Sequence, residues 1–196
     1  WIGGCHGLAS PHPHLPLTKH FFFPGFVAGS GGLLRESELI RQRTAWHADP
    51  EAGWRQLGLS PAKPGETSIS LFCYENPALP ELLQAWAVHA APVRCLVPHG
   101  KALTQIAQSL GGSSWQTGDV VRQGNLSLHA LPFLPQESYD RLLWSCDLNF
   151  VRGEDSLVRA LWASRPLVWH IYPQQDAAHL SKLAAFLDLY CTGLSQ

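Results

Sequence analysis

Residues 148–163 have the sequence LNFVRGEDSLVRALWA, in which a short apolar run, a polar turn and an amphipathic run follow one another. This order predicts a β-strand at 148–151 and an α-helix at 156–163. The same order recurs on both sides, with strands predicted at ISLFCY (69–74), VRCLVP (93–98), LSLHALP (126–132) and PLVWHIY (166–172), and helices at LPELLQAWAVHA (79–90), ALTQIAQSLG (102–111), ESYDRLLWSC (137–146) and AAHLSKLAAFLDLY (177–190). Strands that alternate with helices over short connections run parallel and are joined by right-handed crossovers. The sequence therefore predicts an α/β fold with a Rossmann-like, doubly wound sheet.

The polar turn RGEDS within this stretch is the first candidate ligand site, because doubly wound sheets bind ligands beyond the carboxyl ends of their strands. Gly153 permits a close backbone approach, the following helix offers unpaired N–H groups, and Arg152 adds a charge-assisted donor to an anion such as a diphosphate. Glu154 and Asp155 would repel a phosphate unless they serve another purpose, such as orienting sugar hydroxyls or assisting a nucleophile. Helix capping by Asp155 or Ser156 explains the same residues equally well.

Three further loops at strand ends carry candidate residues. Phe72 and Tyr74 alternate with a cysteine in SLFCY and therefore share one face, where Tyr74 can stack on or hydrogen-bond a ligand, while core packing is the default interpretation for Phe72. Gln136 in LPFLPQ can read a pyrimidine edge through its amide, or it can simply start a helix in solvent. In HIYPQQDAAH, Tyr172 and Asp176 lie at another strand end, where Asp176 is equally well explained as a helix N-cap.

The composition limits the classes of function. The chain has 196 residues, of which 45% are hydrophobic and 15% charged, and its net charge is -1. It can therefore bury a core, but it has no basic surface that would indicate nucleic-acid binding. No window approaches the roughly 20 apolar residues that cross a bilayer, so we expect no association with a membrane. The five cysteines form no CxxC pair, which favours reduced thiols and a cytoplasmic protein.

A metal site is one alternative that the first segment of the chain raises. Cys5, His6, His12, His14 and His20 are crowded there. Their spacing lacks the second matched pair of ligands that structural zinc sites have, and the intervening prolines stiffen the segment. We therefore expect no bound metal.

The chain divides at a connector. Residues 1–32 are rich in Gly, Pro, His and Phe, which predicts loops with short extended pieces. Residues 33–57 predict two helical segments, the second capped by Asp49 with Pro50 at its first position. The segment GLSPAKPGETS that follows has the composition of a linker, so we place a domain boundary near residues 58–67. The chain contains no methionine and begins with tryptophan, which we interpret as the sequence of a fragment.

Several motifs point to a known family: GCHGL, SPHP, LPLTK, FFFPGF, GGLLRE, SLFCYEN, NFVRGEDS, WHIYPQ and DAAHL. With these motifs in the same order, the sequence resembles the bacterial elongation factor P arginine rhamnosyltransferases from its first residue to Tyr190. The resemblance implies the two-domain GT-B architecture, with residues 1–60 as the last part of an amino-terminal, acceptor-binding domain and residues 61–196 as a nucleotide-sugar-binding Rossmann-like domain. It also implies that rhamnose passes from dTDP-β-L-rhamnose to one arginine of elongation factor P, with inversion and without a metal or other cofactor.

The resemblance also implies roles for individual residues. Those implied to bind the nucleotide sugar are Phe72, Tyr74, Gln136, Arg152, Asp155 and Ser156. Glu154 is implied to be the catalytic residue. The family's amino-terminal catalytic aspartates have no counterpart in the chain, which leaves a second hypothesis, an isolated dTDP-sugar-binding module without turnover. A third is a non-enzymatic interaction protein of the same ancestry.

Overall fold

The computed structural model describes residues 2–112 and 114–192, which fall into two compact units divided between Ile40 and Arg41. In the smaller unit, a 3-10 turn precedes two short antiparallel strands, β1 (Ala9–Pro11) and β2 (Thr18–His20). The sequence predicted loops with short extended pieces in this region. The strands stay short because the prolines around and between them remove hydrogen-bond donors and restrict the backbone.

Two histidines of the smaller unit bond to its backbone. Nδ1 of His6 accepts the Phe23 N–H at 3.2 Å, and Nδ1 of His12 accepts the N–H groups of His14 and Leu15 at 3.2 and 3.1 Å. Within the described part of the chain, no group of three or more His, Cys, Asp or Glu side chains lies close enough to hold a metal ion. These two imidazoles therefore hold loops together as hydrogen-bond acceptors.

The larger unit alternates strands and helices after two initial helices. Its elements are α1 (Leu39–Ala48), which begins at the boundary between the units, α2 (Pro50–Gln56), β3 (Thr67–Leu71), α3 (Leu79–Ala87), β4 (Val93–Pro98), α4 (Lys101–Ser109), β5 (Val120–Gln123), β6 (Leu126–Leu131), α5 (Gln136–Ser145), β7 (Leu148–Arg152), α6 (Gly153–Ala163), β8 (Leu167–His170), a 3-10 turn (Gln175–Ala177) and α7 (Ala178–Tyr190). Every strand and helix predicted after the connector is present, with ends displaced by three residues or fewer.

The six-stranded sheet of the larger unit has the order β5–β6–β4–β3–β7–β8. From β6 to β8 all neighbouring strands are parallel, which confirms the prediction of a mixed α/β fold with a mainly parallel sheet. The prediction missed β5, which pairs antiparallel with β6 at the sheet edge. The tight turn between these strands requires glycine, because Gly124 has a φ of +54° and a side chain there would collide with the Ala87 carbonyl.

Helices cover both faces of the sheet. On one face α3 and α4 pack on a core formed largely by alternate residues of three strands: Ile69, Leu71, Cys73, Val93, Cys95, Val97, Leu126, Leu128 and Ala130. On the other face, Leu96 and Leu131 pack with Trp54 of α2 and with Leu142 and Cys146 at α5. β4 is buried along its whole length because it is covered on both sides, and this explains why VRCLVP is apolar without alternation. Three cysteines are buried in these clusters: Cys73, Cys95 and Cys146.

The two initial helices pack on the same face as α5. Nε1 of Trp46 on α1 donates to the Ser145 hydroxyl at 2.9 Å. The Arg94 guanidinium lies over the Trp54 ring of α2, with its central carbon 4.1 Å from the ring centroid. These contacts join the helices to the core of the larger unit. Among the helices that the structure describes, none is long and apolar enough to cross a membrane.

The start of α2 follows the predicted pattern. The Asp49 carboxylate accepts the Ala52 N–H at 2.9 Å, and Pro50 is the first residue of the helix. The division of the chain into an acceptor-binding domain (residues 1–60) and a nucleotide-sugar domain (residues 61–196) stays a prediction.

Candidate functional site

The strand order creates a switch point between β3 and β7. From β3 the chain proceeds outward through β4 to β6, and it then returns to β7 on the other side of β3. The connections that leave the carboxyl ends of β3 and β7 therefore diverge and leave a crevice between them, where doubly wound sheets bind ligands. The predicted residues of SLFCYEN and NFVRGEDS lie at these two strand ends.

A cavity of about 350 Å³ lies in this crevice, and its volume is in the range of small-molecule sites. It is lined by Phe72, Tyr74, Arg152, Gly153, Glu154, Asp155 and Ser156. Six of the seven residues that the family resemblance assigned to the site thus lie together. The seventh, Gln136, is the exposed first residue of α5 and is not among the residues that line this cavity. Its contact with a base stays a prediction.

The Arg152 guanidinium is held against aromatic rings. Its central carbon lies 4.2 Å from the centroid of the Phe72 ring and 5.1 Å from that of the Tyr74 ring. At these distances the positive charge is attracted to the electron-rich ring faces. A guanidinium that is already restricted in this way loses less conformational entropy when it binds an anion. The site thus has a preorganised positive charge.

Helix α6 begins directly after β7, three residues earlier than predicted. Its first residue, Gly153, has a φ of +63°, and a β-carbon there would lie 3.1 Å from the Tyr74 hydroxyl oxygen. The position therefore needs glycine both for its backbone angle and for space. The prediction began the helix at Ser156 because the glycine and the two acids before it are typical of a turn. The observed start places the N–H groups of the first helical turn at the cavity.

The hypothesis that Asp155 caps α6 is wrong, and Ser156 bonds to the backbone of Arg152 instead of acting as the N-cap residue. Arg152 occupies the N-cap position in an extended conformation, and none of the described side chains caps the helix there. The Ser156 hydroxyl accepts the Arg152 N–H at 3.0 Å and donates to the Arg152 carbonyl. It thereby fixes the backbone from which the guanidinium extends, and the first N–H groups of α6 keep their capacity to bind an anion.

The two carboxylates of the site are exposed in the first turn of α6. A negative charge is favourable at this end of a helix, which explains part of their presence. In addition, Oε1 of Glu154 lies 3.7 Å from Nζ of Lys182 on α7. Arg152 and Lys182 thus balance Glu154 and Asp155, so the acids do not give the site a net negative charge. Lys182 was not identified from the sequence, because the sequence around a surface lysine does not indicate which acid it will pair with.

Aromatic side chains from two other segments complete the site. His170 and Tyr172 at the end of β8 meet Tyr74 edge to face, with centroid separations of 5.3 and 5.4 Å. Tyr139 of α5 meets Phe72 in the same way at 5.5 Å. Of these, the sequence singled out only Tyr172, because it is the last residue of a predicted strand, whereas the other two lie further inside a predicted strand or helix. Burial lowers the pKa of His170 and raises the pKa of Tyr139, so both side chains are neutral near pH 7.

The segment between β8 and α7 shows that the N-cap hypothesis for Asp176 is wrong. Asp176 is not the N-cap of α7, because Ala177 holds that position and Asp176 lies within the preceding 3-10 turn. Both residues have left-handed backbone conformations, with φ of 58° and 55°. Each costs about 1–2 kcal/mol for a residue with a side chain, so packing around the turn must maintain it. The turn leads the chain from the site into the helix that carries Lys182.

The arrangement suits a ligand with both a planar ring and an anionic group. The guanidinium and the start of α6 can hold phosphate oxygens, and the rings around Phe72 and Tyr74 can contact a base. The carboxylates of Glu154 and Asp155 can accept hydrogen bonds from hydroxyl groups or take a proton. These capacities match those of a site for a nucleotide attached to a polar group.

Comparison with known proteins gives a consistent result. A family model described as Elongation-Factor P (EF-P) rhamnosyltransferase EarP matches residues 1–196. A protein-arginine rhamnosyltransferase of Pseudomonas aeruginosa is 51% identical over 197 residues, which cover 99% of this chain and 52% of the relative. The corresponding protein of Pseudomonas putida is 49% identical over 198 residues, which cover 100% of this chain and 52% of that protein. The chain spans about half the length of these relatives.

A solved structure is also similar. It comes from work on the structural basis for EarP-mediated arginine glycosylation of translation elongation factor EF-P. The two chains superimpose with a TM-score of 0.79 at 45% sequence identity, over 90% of this chain and 56% of the other. The mixed α/β fold with its mainly parallel sheet is therefore similar to that of a known glycosylating protein.

Proposed function

Because the chain belongs to the EarP family of elongation factor P rhamnosyltransferases, we propose that it forms the donor-binding part of a protein-arginine rhamnosyltransferase. The donor is dTDP-β-L-rhamnose, the acceptor is one arginine of elongation factor P, and the enzyme has the GT-B architecture. The anomeric configuration is inverted, because the acceptor nitrogen displaces the diphosphate directly. Since the chain spans about half the length of its relatives, we propose the complete reaction for a protein of their length and donor binding for residues 61–196.

One observation carries this proposal: the aromatic rings, Arg152 and the start of α6 converge on a single cavity. A thymine base can contact Phe72 or Tyr74 while the diphosphate meets the guanidinium and the helical N–H groups. Gly153 allows the backbone to approach the phosphate oxygens. The sugar then extends toward the carboxylates of Glu154 and Asp155, which explains why two acids stand beside an anion site.

The proposed reaction balances as a single displacement. A guanidinium nitrogen of the acceptor arginine forms the new bond to the anomeric carbon, and the bond between that carbon and the diphosphate oxygen breaks. The bonding electron pair leaves with dTDP, and a carboxylate takes one proton from the guanidinium. Such a group has a pKa above about 12, so its nitrogen is a poor nucleophile until a carboxylate orients and deprotonates it.

Arg152 and α6 assist this reaction by stabilising the leaving group. Negative charge increases on the diphosphate oxygen as its bond breaks, and fixed donors aimed at that charge lower the barrier. The same groups supply the positive charge that a divalent metal provides in other transferases. We therefore propose metal-independent transfer, and we expect EDTA to leave the rate unchanged.

Glu154 is the proposed catalytic residue in this part of the protein. Its carboxylate is exposed in the first turn of α6, where it can reach a sugar or an incoming guanidinium. Its partner Lys182 is also exposed, and exposed ion pairs contribute only about 0–1 kcal/mol, so little energy is needed to release the carboxylate. The alternative of a binding module without turnover is less well supported, because the relatives are named as transferases.

The test uses the full-length protein with Glu154→Gln, which keeps the shape of the side chain and removes its charge. We expect the rate of rhamnose transfer to elongation factor P, measured by mass spectrometry, to fall at least a hundredfold. Calorimetry should show dTDP affinity within about threefold of the parent. Glu137→Gln, at an exposed acid in the first turn of α5, is the control and should transfer normally. A normal rate in Glu154→Gln contradicts the catalytic role. The donor site itself is tested separately, by measuring dTDP binding to the Arg152 variants discussed below.

A further inference from the structure

A second cavity, of about 310 Å³, lies near the amino ends of β3, β4 and β6, whereas the candidate site lies at the carboxyl ends of β3 and β7. It is bounded by the connector before β3, by the segment before β4 and by the hairpin of β5 and β6. The residues with polar side chains that matter for its chemistry are Lys63, Glu66, Arg94, Arg122, Ser127 and His129. The proposed transferase reaction uses none of them, so their arrangement needs a separate explanation.

Arg94 forms a rigid wall of this cavity. It is 4% exposed, and it donates from Nη1 to the Ser60 carbonyl at 2.7 Å and from Nη2 to the Ser68 hydroxyl at 2.9 Å. Its Nε lies 3.6 Å from the Glu66 carboxylate, and its guanidinium stacks over Trp54 at 4.1 Å. Burial lowers the pKa of Arg94, but the neighbouring carboxylate opposes this effect. The buried pair of Arg94 and Glu66 is therefore close to neutral.

Two cations of the cavity lack such compensation. Lys63 and Arg122 are exposed, and within the described part of the chain neither side chain forms an ion pair. Among the described residues that line the cavity, Glu66 is the one acid, and Arg94 already balances it. The cavity thus has an excess of two positive charges, although the whole chain has a net charge of -1.

His129 extends the same cluster from β6. Its Nε2 lies 3.3 Å from the Ser127 hydroxyl, which also lines the cavity. Burial lowers the pKa of His129, and the nearby guanidinium groups of Arg94 and Arg122 lower it further, while Glu66 acts in the opposite direction. The two guanidinium groups therefore lie close enough to the imidazole to affect its protonation. A bound anion would oppose those fields and would favour the protonated imidazole.

The lining also limits the kind of anion. Among the described residues that line the cavity there is no Phe, Tyr or Trp, in contrast to the rings around Arg152, so this lining offers no aromatic ring to stack on a nucleobase. The volume exceeds that needed by a single inorganic ion and leaves space for a polar carrier. Lysine, arginine and imidazole are the side chains that commonly bind phosphate oxygens.

We propose that this cavity binds a small phosphate monoester without an aromatic base, such as a sugar phosphate, with Lys63 and Arg122 as its charged contacts. The phosphate lies between these two cations and above the fixed guanidinium of Arg94. The Ser127 hydroxyl and His129 complete the set of donors. This site is separate from the proposed dTDP site, which lies at the carboxyl ends of β3 and β7.

The test measures binding of a hexose phosphate and of inorganic phosphate to the full-length protein by calorimetry. Arg122→Ala and Lys63→Ala should each weaken the affinity by about tenfold or more, as expected for the loss of one charge-assisted contact. Arg55→Ala removes a surface arginine outside the cavity and should have no effect. Arg152→Ala separates the two sites, because it should weaken dTDP binding and leave the hexose phosphate affinity unchanged.

A second measurement follows the imidazole of His129 by NMR. Saturating hexose phosphate should raise the pH at which this side chain titrates, and Arg122→Ala alone should also raise it because one opposing cation is removed. The proposal is overturned if the sugar phosphate does not bind, if its binding is lost in Arg152→Ala but unchanged in Arg122→Ala, or if the His129 resonances do not respond to the ligand. Each of these results is independent of whether rhamnose transfer occurs.

Discussion

The guanidinium carbon of Arg152 lies 4.2 Å from the centroid of the Phe72 ring, across the switch point between β7 and β3. Arg152 is the last residue of β7 and Phe72 directly follows β3, so the two lie at the ends of neighbouring strands although 80 positions separate them in the sequence. The Phe72 ring thus restrains the guanidinium that can bind a diphosphate. The position of the Arg152 guanidinium therefore depends on the Phe72 ring.

This relationship predicts different effects for two substitutions of Arg152. Arg152→Ala removes both the charge and the stacking plane, and we expect dTDP affinity to fall by roughly tenfold to a hundredfold, which corresponds to about 1.5–3 kcal/mol for a charged hydrogen bond. Arg152→Lys keeps the charge but loses the planar fork, so part of the affinity should remain. Calorimetry with dTDP measures both effects. Arg55→Ala is the control, and equal affinities for the Ala and Lys variants would contradict a role for the charge.

Gly153 provides a second prediction, on backbone geometry. In Gly153→Ala the residue must keep a φ near +63°, and its β-carbon would lie 3.1 Å from the Tyr74 hydroxyl. We expect a loss of stability of about 1–2 kcal/mol from the backbone, together with weaker dTDP binding because the start of α6 must shift. Urea unfolding and calorimetry measure the two effects.

The control for Gly153 separates backbone strain from steric contact. Gly118 has a φ of +95° and nothing within 4 Å of an added β-carbon, so Gly118→Ala should lose stability without any loss of dTDP binding. Combining Gly153→Ala with Tyr74→Phe removes the hydroxyl that the new methyl group meets. We expect the double variant to recover part of the stability, and no recovery would show that the backbone angle alone decides the effect.

The sheet was largely predictable because its central strands are covered on both faces. A strand such as VRCLVP must be apolar throughout when helices cover it, and this leaves a clear pattern in the sequence. β5 gave no such signal, because its residues VVRQ lie at an edge and three of the four are exposed. The Gly124–Asn125 pair that follows was nevertheless a recognisable hairpin turn, and with it the antiparallel strand could have been found.

The site was predictable where its residues lie at or just after the end of a predicted strand, as Phe72, Tyr74 and Tyr172 do. Arg152 to Ser156 could be identified from a single turn after a strand. Tyr139, His170 and Lys182 could not be identified, because each contacts a residue of the cavity lining from a different helix or strand and nothing in its local sequence indicates that contact. Their positions depend on how α5, β8 and α7 pack, which local patterns do not determine.

A third prediction concerns the ion pair that joins α5 to α6. Nε of Arg159 lies 2.7 Å from Oδ1 of Asp140, Nη2 contacts Oδ2, and the two side chains are only 12% and 6% exposed. Arg159→Met leaves a buried carboxylate without this partner, so we expect a loss of about 3–5 kcal/mol in the free energy of unfolding. Because α6 forms part of the proposed dTDP site, the affinity of the protein for dTDP should also fall.

A neighbouring pair on α5 serves as the control. Arg141 and Glu137 lie 4.0 Å apart, with 40% and 88% of their side chains exposed. Arg141→Met should therefore change the free energy of unfolding by less than about 1 kcal/mol. Urea unfolding of both variants measures the difference. Similar losses in the two variants would mean that burial does not determine the strength of the pair.

The last prediction concerns pH and His170. Burial lowers the pKa of His170 in the folded protein below its ordinary value of 6.5. The unfolded chain therefore binds a proton at higher pH than the folded protein does, and acidification favours unfolding. The contribution of His170 to stability should be complete above about pH 6.5 and should be lost as the pH falls through the lower pKa of the folded protein.

His170→Gln removes this proton-binding group, so the free energy of unfolding should depend less steeply on pH below about 6.5. Some dependence should remain, because burial also lowers the pKa values of His47 and His129. His20→Gln, at an exposed position, is the control. Urea unfolding at several pH values measures the slopes. If His170→Gln and the parent protein have the same slope, the imidazole does not titrate differently in the folded and unfolded states, and its contact with Tyr74 would then tolerate a positive charge.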